Sequence, residues 1–182
     1  MPRILRKSLF SEQLLPLVQD FDCGDEPWER EVADWIKAPL GAHGALDEMD
    51  AGLRSCRVWL YAEQPNEVVG FGSLGPSRWP SPIGPINLIP NVGMRRQYHG
   101  QPGPPAPIEE RFSMQIMRDL IDEAHKLGQS PLLALYVHPQ NAKAIRLYTR
   151  LGFRNYSKTW TDPQSGVVYQ GMILDRLTPR DP

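Results

Sequence analysis

The sequence predicts a single α/β domain spanning residues 1 to 182, and three observations carry that reading. Leu132 to Val137 is an apolar run without alternation, which suits a strand buried on both faces. Phe112 or Ser113 to Leu127 puts Ile116, Met117, Leu120, Ile121, Ala124 and Leu127 on one helical face, with Gly128 as its stop. Val58, Leu60 and Ala62 alternate with Trp59, Tyr61 and Glu63, the period of a half-buried strand. A chain of 182 residues is ordinarily one domain, long enough to bury most of its apolar surface without disulfides or a metal.

The remaining elements follow in order. A first strand is expected near Arg3 to Leu9. The segment Pro27 to Ile36 reads as a helix, with proline at an early helical position and Asp25, Glu26 and Glu29 at its positive end. Trp28, Val32, Trp35 and Ile36 share one face of it. A second helix is expected over Ala45 to Leu53. The strand from Cys56 then turns at Gln64 to Glu67 into Val68 to Leu74, giving a hairpin.

Nine prolines fall between Pro76 and Pro107, so regular structure there is short and the loops are stiff. One strand still fits, Ile86 to Met94. Pro90 within it removes a ladder donor and marks an edge, a bulge or a splayed strand. The last strands are expected at Phe153 to Thr159 and Val167 to Leu174, joined by a turn at Asp162 to Gly166.

Charge and cysteine usage exclude several classes. The net charge is −1, so no global field draws the chain to nucleic acid or membrane. Locally the balance is uneven: Ala124 to Thr161 holds Lys126, Lys143, Arg146, Arg150, Arg154 and Lys158 and no acid, which reads as a solvated helix face or as a basic surface. Cys23 and Cys56 are too few for a disulfide framework, and no His or Cys cluster has zinc spacing, so no metal is expected. Charge interrupts the amino terminus before any signal core could form, and no later run approaches a membrane span. The expected compartment is the cytoplasm.

The most informative stretch is His138 to Phe153. Pro139 ends the apolar strand, and Asn141 can accept from the open amides of a helix start. Ala144, Ile145, Tyr148 and Leu151 form a buried stripe, Lys143, Arg146, Arg150 and Arg154 share another face, and Gly152 closes the helix. This strand, asparagine-capped helix and Leu-Tyr-x-x-x-Gly-Phe ending resemble the C-terminal half of the GNAT acyltransferases. The matching motifs cover residues 86 to 160.

The resemblance implies a mixed, mostly antiparallel sheet with a central splay between two parallel strands, flanked by helices. It implies acetyl-CoA (coenzyme A) as cofactor, with a primary amine accepting the acyl group by direct attack. The family's phosphate loop, Gln/Arg-x-x-Gly-x-Gly/Ala, is matched at Gln97 and Gly100 in the run Gln97, Tyr98, His99, Gly100, Gln101. Glycine admits backbone amides to phosphate, and a helix start favours negative charge. Pro102 departs from the pattern: it has no N–H, and Gly103 to Arg111 look like an insertion. Either the loop bulges and Tyr98 to Gln101 still hold phosphate, helped by Arg95, Arg96 or Arg111, or the site is weakened.

By the same resemblance, the pantetheine arm pairs with the backbone of Asn91, Val92 and Gly93, Asn141 contacts the cofactor, and Tyr148 protonates the departing thiolate. A phenol with a pKa near ~10 stays protonated at neutral pH, whereas a thiol ionises near ~8.5. Tyr148 can equally pack in the apolar stripe. No general base is identifiable, because no Asp or Glu lies between Glu67 and Glu109; Asn87, Asn91 or an ordered water chain could assist, and Glu29, Glu31, Glu109 and Glu110 serve only if folding brings one near. Trp28, Trp35, Trp59 and Trp79 either line an aromatic pocket or belong to the core.

Two other functions remain open. Phe21-Asp22-Cys23-Gly24-Asp25 resembles the start of toxin-type GNAT enzymes that acetylate aminoacyl-tRNA; near-neutral charge argues against that partner and the acid-free stretch argues for it. The other is a non-catalytic acyl-CoA-binding module, in which Pro102 and the insertion have ended catalysis. A homodimer is compatible with each.

Overall fold

The computed structural model describes residues 5–37, 55–61, 64–77, 86–99, 111–128, 130–156, 158–163 and 165–175. The expected helix at Ala45 to Leu53, together with Trp79, Gly100, Gln101, Pro102, Glu109 and Glu110, lies outside them. In order, the chain forms β1 (Leu5–Leu9), a 3-10 helix (Glu12–Val18), α1 (Pro27–Lys37), β2 (Ser55–Tyr61), β3 (Gln64–Ser77), β4 (Ile86–Ile89) and β5 (Val92–Met94). A short 3-10 turn (Arg96–Tyr98), α2 (Phe112–Leu127), β6 (Leu132–Val137), α3 (Ala142–Arg150), β7 (Arg154–Asn155), β8 (Trp160–Thr161) and β9 (Val168–Asp175) follow.

The strands form one sheet in the order β1-β2-β3-β4-β6-β9-β7, with β5 beside β3 and β8 beside β9. Among the described pairs only β4 and β6 run parallel. Alternation sends Leu133, Leu135 and Val137 into one core with Phe112, Ile116, Met117 and Leu120 of α2 and Tyr148 of α3. The opposite face buries Val58, Leu60, Val68 and Phe71 against Ala33 and Ile36 of α1. Ala134 packs on that second side with Ile86 and Leu88, so β6 is buried on both faces, as its unbroken apolar run requires.

Pro90 creates the gap that defines the molecule. β4 is bonded to β6 from Asn87↔Leu133 to Ile89↔Leu135. The chain then reaches Pro90 and Asn91, and β5 continues only along β3, with Phe71↔Gly93 and Gly72↔Val92. Three steps on β3, from Gly72 to Gly75, are matched by four on its partner, from Leu88 to Val92, so an extra residue is accommodated here as a bulge. The bulge bends β5 away from β6. The expected single strand Ile86 to Met94 is therefore two strands.

Other boundaries also differ. Gln64 to Glu67 extends β3 instead of turning, because Tyr61 pairs with Gln64. The 3-10 helix carries no apolar periodicity long enough to announce it. The expected strand Phe153 to Thr159 is reduced to Arg154–Asn155, and β8 starts at Trp160. Leu127, placed on the core face by helical spacing, is 38% exposed in the last turn of α2. Gly128 and Gly152 do end their helices at positive φ, +60° and +94°.

Candidate functional site

A cavity of about 920 Å³ opens where β5 parts from β6. Val92, Gly93 and Met94 form one wall and Asn141, Ala144, Leu147 and Tyr148 of α3 another. Arg111, Ser113, Met114 and Arg118, at the start of α2, line the same side as α3, whereas Cys23, Trp28, Glu29 and Val32 come from the α1 side of the sheet. The cavity thus passes through the sheet.

Hydrogen-bond alternation decides which backbone groups face it. The Ser73 amide donates to the Asn91 carbonyl and the Arg95 amide to the Val69 carbonyl, both at bonded distance (2.9 and 2.8 Å). Asn91, Gly93 and Arg95 consequently spend their ladder groups on β3, and the amides of Val92 and Met94 point to the opposite edge, into the gap. Of the residues assigned to the cofactor backbone from sequence, Val92 offers its amide, whereas Gly93 is required by packing: a Cβ there would stand 2.7 Å from Phe71 and 2.8 Å from Val32. With its amide turned to the orientation that satisfies both partners, the Asn91 side chain is engaged elsewhere, accepting from Trp35 Nε1 at 3.2 Å and donating to the Pro90 carbonyl at 3.3 Å.

On α3, Asn141 Oδ1 accepts from the Ala144 amide at 3.1 Å, the expected cap, while the residue lines the cavity. Two turns on, Tyr148 is 7% exposed and packs near Phe153, with ring centroids 6.0 Å apart. Burial pushes its phenol above the ordinary value, so it is protonated at neutral pH. Lys143, Arg146 and Arg150 line the cavity mouth. The basic face of this helix is therefore a cleft wall, except for Arg154, which is bonded to Asp175 through Nε at 2.8 Å.

The phosphate-loop residues separate. His99 lines the cavity, with Nε2 at 3.0 Å from the Met94 carbonyl. Gln97 is exposed and bonded to Glu67 outside the lining, and Tyr98 packs edge-on against Phe112 at 5.6 Å. Of the arginines offered as helpers, only Arg111 reaches the cavity. Arg95 is structural, donating to the carbonyls of Val68 and Leu17, each at 2.8 Å, and pairing with Asp20 at 2.9 Å. Arg96 pairs with Asp25 at 2.6 Å.

Sequence reasoning left the base open, and folding brings one candidate forward. Glu29 is the one carboxylate among the described lining residues. Its Oε2 accepts from the Glu26 amide at 3.1 Å, and it lies over Gly24, whose φ of +137° excludes other residues without strain. The loop that carries Gly24 is fastened to the chain just past β5: the Asp22 carbonyl accepts from the Arg96 amide at 2.8 Å, and Asp22 Oδ1 accepts from the Gly24 amide at 2.8 Å. Cys23 between them has its thiol pushed up to about 12 by burial and is no thiolate nucleophile at neutral pH. The Phe21 to Asp25 motif was the available signal for this wall.

Among the tryptophans, Trp28 lines the cavity and stacks on His138, with centroids 4.0 Å apart at 17°. Burial lowers the His138 pKa, favouring the neutral ring. Trp35 stacks on Phe71 at 5.7 Å, and Trp59 is core, donating to Asp119 at 2.8 Å. Among the described residues no group of His, Cys, Asp and Glu is arranged to hold a metal, and no helix is long and apolar enough to cross a membrane.

No family model matches the sequence, and no curated protein matches it. Solved structures do match over their whole length. An acetyltransferase from Bacillus subtilis in complex with CoA is 16% identical with a TM-score of 0.55, covering 95% of this chain and 99% of that one. The ribosomal-protein-S18-alanine N-acetyltransferase from Escherichia coli is 16% identical, with a TM-score of 0.61 and 97% of each chain covered. An acetyltransferase from Salmonella typhimurium with its cofactor acetyl-CoA is 17% identical, with a TM-score of 0.60 over 99% of this chain and 98% of that one.

Proposed function

We propose that this chain, whose fold is that of the GNAT acetyltransferases, is an N-acetyltransferase that takes its acyl group from acetyl-CoA and delivers it to a primary amine. The observation that carries the reading is the through-sheet cavity, which is lined by cations at one mouth, by free strand amides in the middle and by a carboxylate at the other side.

Acetyl-CoA supplies an acyl thioester and a multiply charged phosphate tail. Lys143, Arg146, Arg150, Arg111 and Arg118 suit the phosphates, and they line the cavity on the α2–α3 side. The gap-facing amides of Val92 and Met94 suit a thioester carbonyl, drawing electron density to its oxygen without any reorganisation of the strand. Tyr148, held neutral by burial, can give its proton to the departing sulfur. Glu29, on the α1 side, can take the proton that an ammonium must lose before it attacks.

Calorimetry with acetyl-CoA and a release assay for the free CoA thiol across small amines, peptides and aminoacyl-tRNA test the proposal. Binding with turnover of any amine supports it. Binding with no turnover favours the acyl-CoA-binding module, and turnover restricted to aminoacyl-tRNA favours the toxin-type reading that the Phe21 to Asp25 wall motif keeps in view.

A further inference from the structure

Near the cavity, the half-buried side chain of Glu31 carries an oxygen that has no hydrogen-bond partner. Glu31 follows Trp28 by three residues on α1, close to the same face. Burial and, after it, the neighbouring Glu31 carboxylate raise the Tyr169 phenol above its usual range, so the two groups lie side by side. Its Oε2 is nonetheless buried without a hydrogen-bond partner. An acceptor left buried and unpaired is destabilising, and a donor carrying positive charge would remove that cost.

The surroundings are aromatic. Trp160 on β8 is paired in register with Tyr169 on β9, their ring centroids 5.9 Å apart. Tyr136 on β6 stands edge-on to Trp160 at 4.8 Å and lies 6.5 Å from Tyr169. Aromatic faces attract cations within ~6 Å of the ring centre. Asp162 adds negative charge near Tyr169. On α1, Glu29 and Glu31 flank the Trp28 and Val32 stripe that lines the cavity, one on either side. The cleft is therefore bipolar: cations line its α2–α3 side and the Glu29 carboxylate its α1 side, with Glu31 next to that wall on the same helix.

We propose that Glu31, with Tyr136, Trp160 and Tyr169, forms a cation subsite on the acceptor side, and that the acceptor is a primary amine bearing a second cationic group. The proposal rests on the transfer reaction above and names its acceptor class. One amino group of a diamine would lie in the cavity by Glu29 and the other at Glu31; a monoamine leaves the Glu31 oxygen unpaired.

Titrations of cadaverine and of pentylamine, followed by tryptophan fluorescence with and without acetyl-CoA, test it. Cadaverine is expected to bind about tenfold or more tighter than pentylamine, and Glu31→Gln to abolish that preference while leaving acetyl-CoA affinity unchanged. Tyr169→Phe, which keeps the ring and removes only the hydroxyl, is expected to retain the preference. Equal affinities for the two amines, undiminished cadaverine binding in Glu31→Gln, or no cadaverine binding overturns the subsite. Cadaverine binding that depends on Glu31 in a protein unable to bind acetyl-CoA would instead leave the subsite standing and remove the transferase reading.

Discussion

Gly24 holds open the space that the Glu29 carboxylate occupies: a side-chain carbon at Gly24 would overlap the carboxylate, and the backbone there has a φ of +137°. Gly24→Ala is therefore expected to displace Glu29 as well as strain the loop, at about 1–3 kcal/mol. Turnover should fall by more than the loss of folded protein explains, while acetyl-CoA affinity persists. Thermal melting and calorimetry on the same preparation separate the two effects, and unchanged turnover would remove Glu29 from the chemistry.

Tyr148→Phe removes one hydroxyl from a ring that remains packed between α3 and Phe153. Turnover is expected to fall on the order of 10² or more, the usual loss of a general acid, with stability and cofactor affinity nearly intact. Wild-type turnover in this variant would leave Tyr148 a packing residue.

Stability should decline in alkali, with a sign fixed by the two cysteine thiols. Cys23 and Cys56 are each raised by burial from 9.0 to about 12. A raised folded value means that the contribution is fully present below pH 9.0 and is lost as the pH rises toward about 12, as the unfolded thiols ionise first. Urea unfolding at about pH 7.5 and about pH 10 should show a lower midpoint at the higher pH. Cys23→Ala should narrow that difference, and an unchanged difference would contradict the assignment.

Arg95 ties the 3-10 helix to β3 through the Leu17 and Val68 carbonyls. Arg95→Met keeps much of the apolar stem over Phe21 but orphans those acceptors, each costing about 1–3 kcal/mol. A lowered urea midpoint with retained acetyl-CoA affinity is expected. A loss of cofactor binding in a stably folded variant would instead make Arg95 a phosphate ligand.

How much was legible depends on how local each signal is. The α3 helix, its Asn141 cap and its Tyr148 stripe were readable because periodicity and capping act within one turn or two. Pro90 announced a break, but not that β5 would stay with β3 and leave β6, since that choice belongs to the neighbouring strands. Gln97 matched a motif, yet its side chain is spent on Glu67, a residue far away in sequence. The basic face of α3 could not be told from a solvated one until α2 stood opposite it. Glu29 needed a positive φ at Gly24 and a loop tied to Arg96, both products of tertiary structure.

The most direct test of the central claim is a calorimetric titration of acetyl-CoA into the native protein and into an Arg146→Glu, Arg150→Glu double variant at about 0.1 M salt, where charges within ~10 Å still interact. Stoichiometric binding by the native protein, weakened about tenfold or more in the charge-reversed variant, is the predicted result. No binding by the native protein, or equal affinity in the two, would contradict the assignment of this cavity to acetyl-CoA.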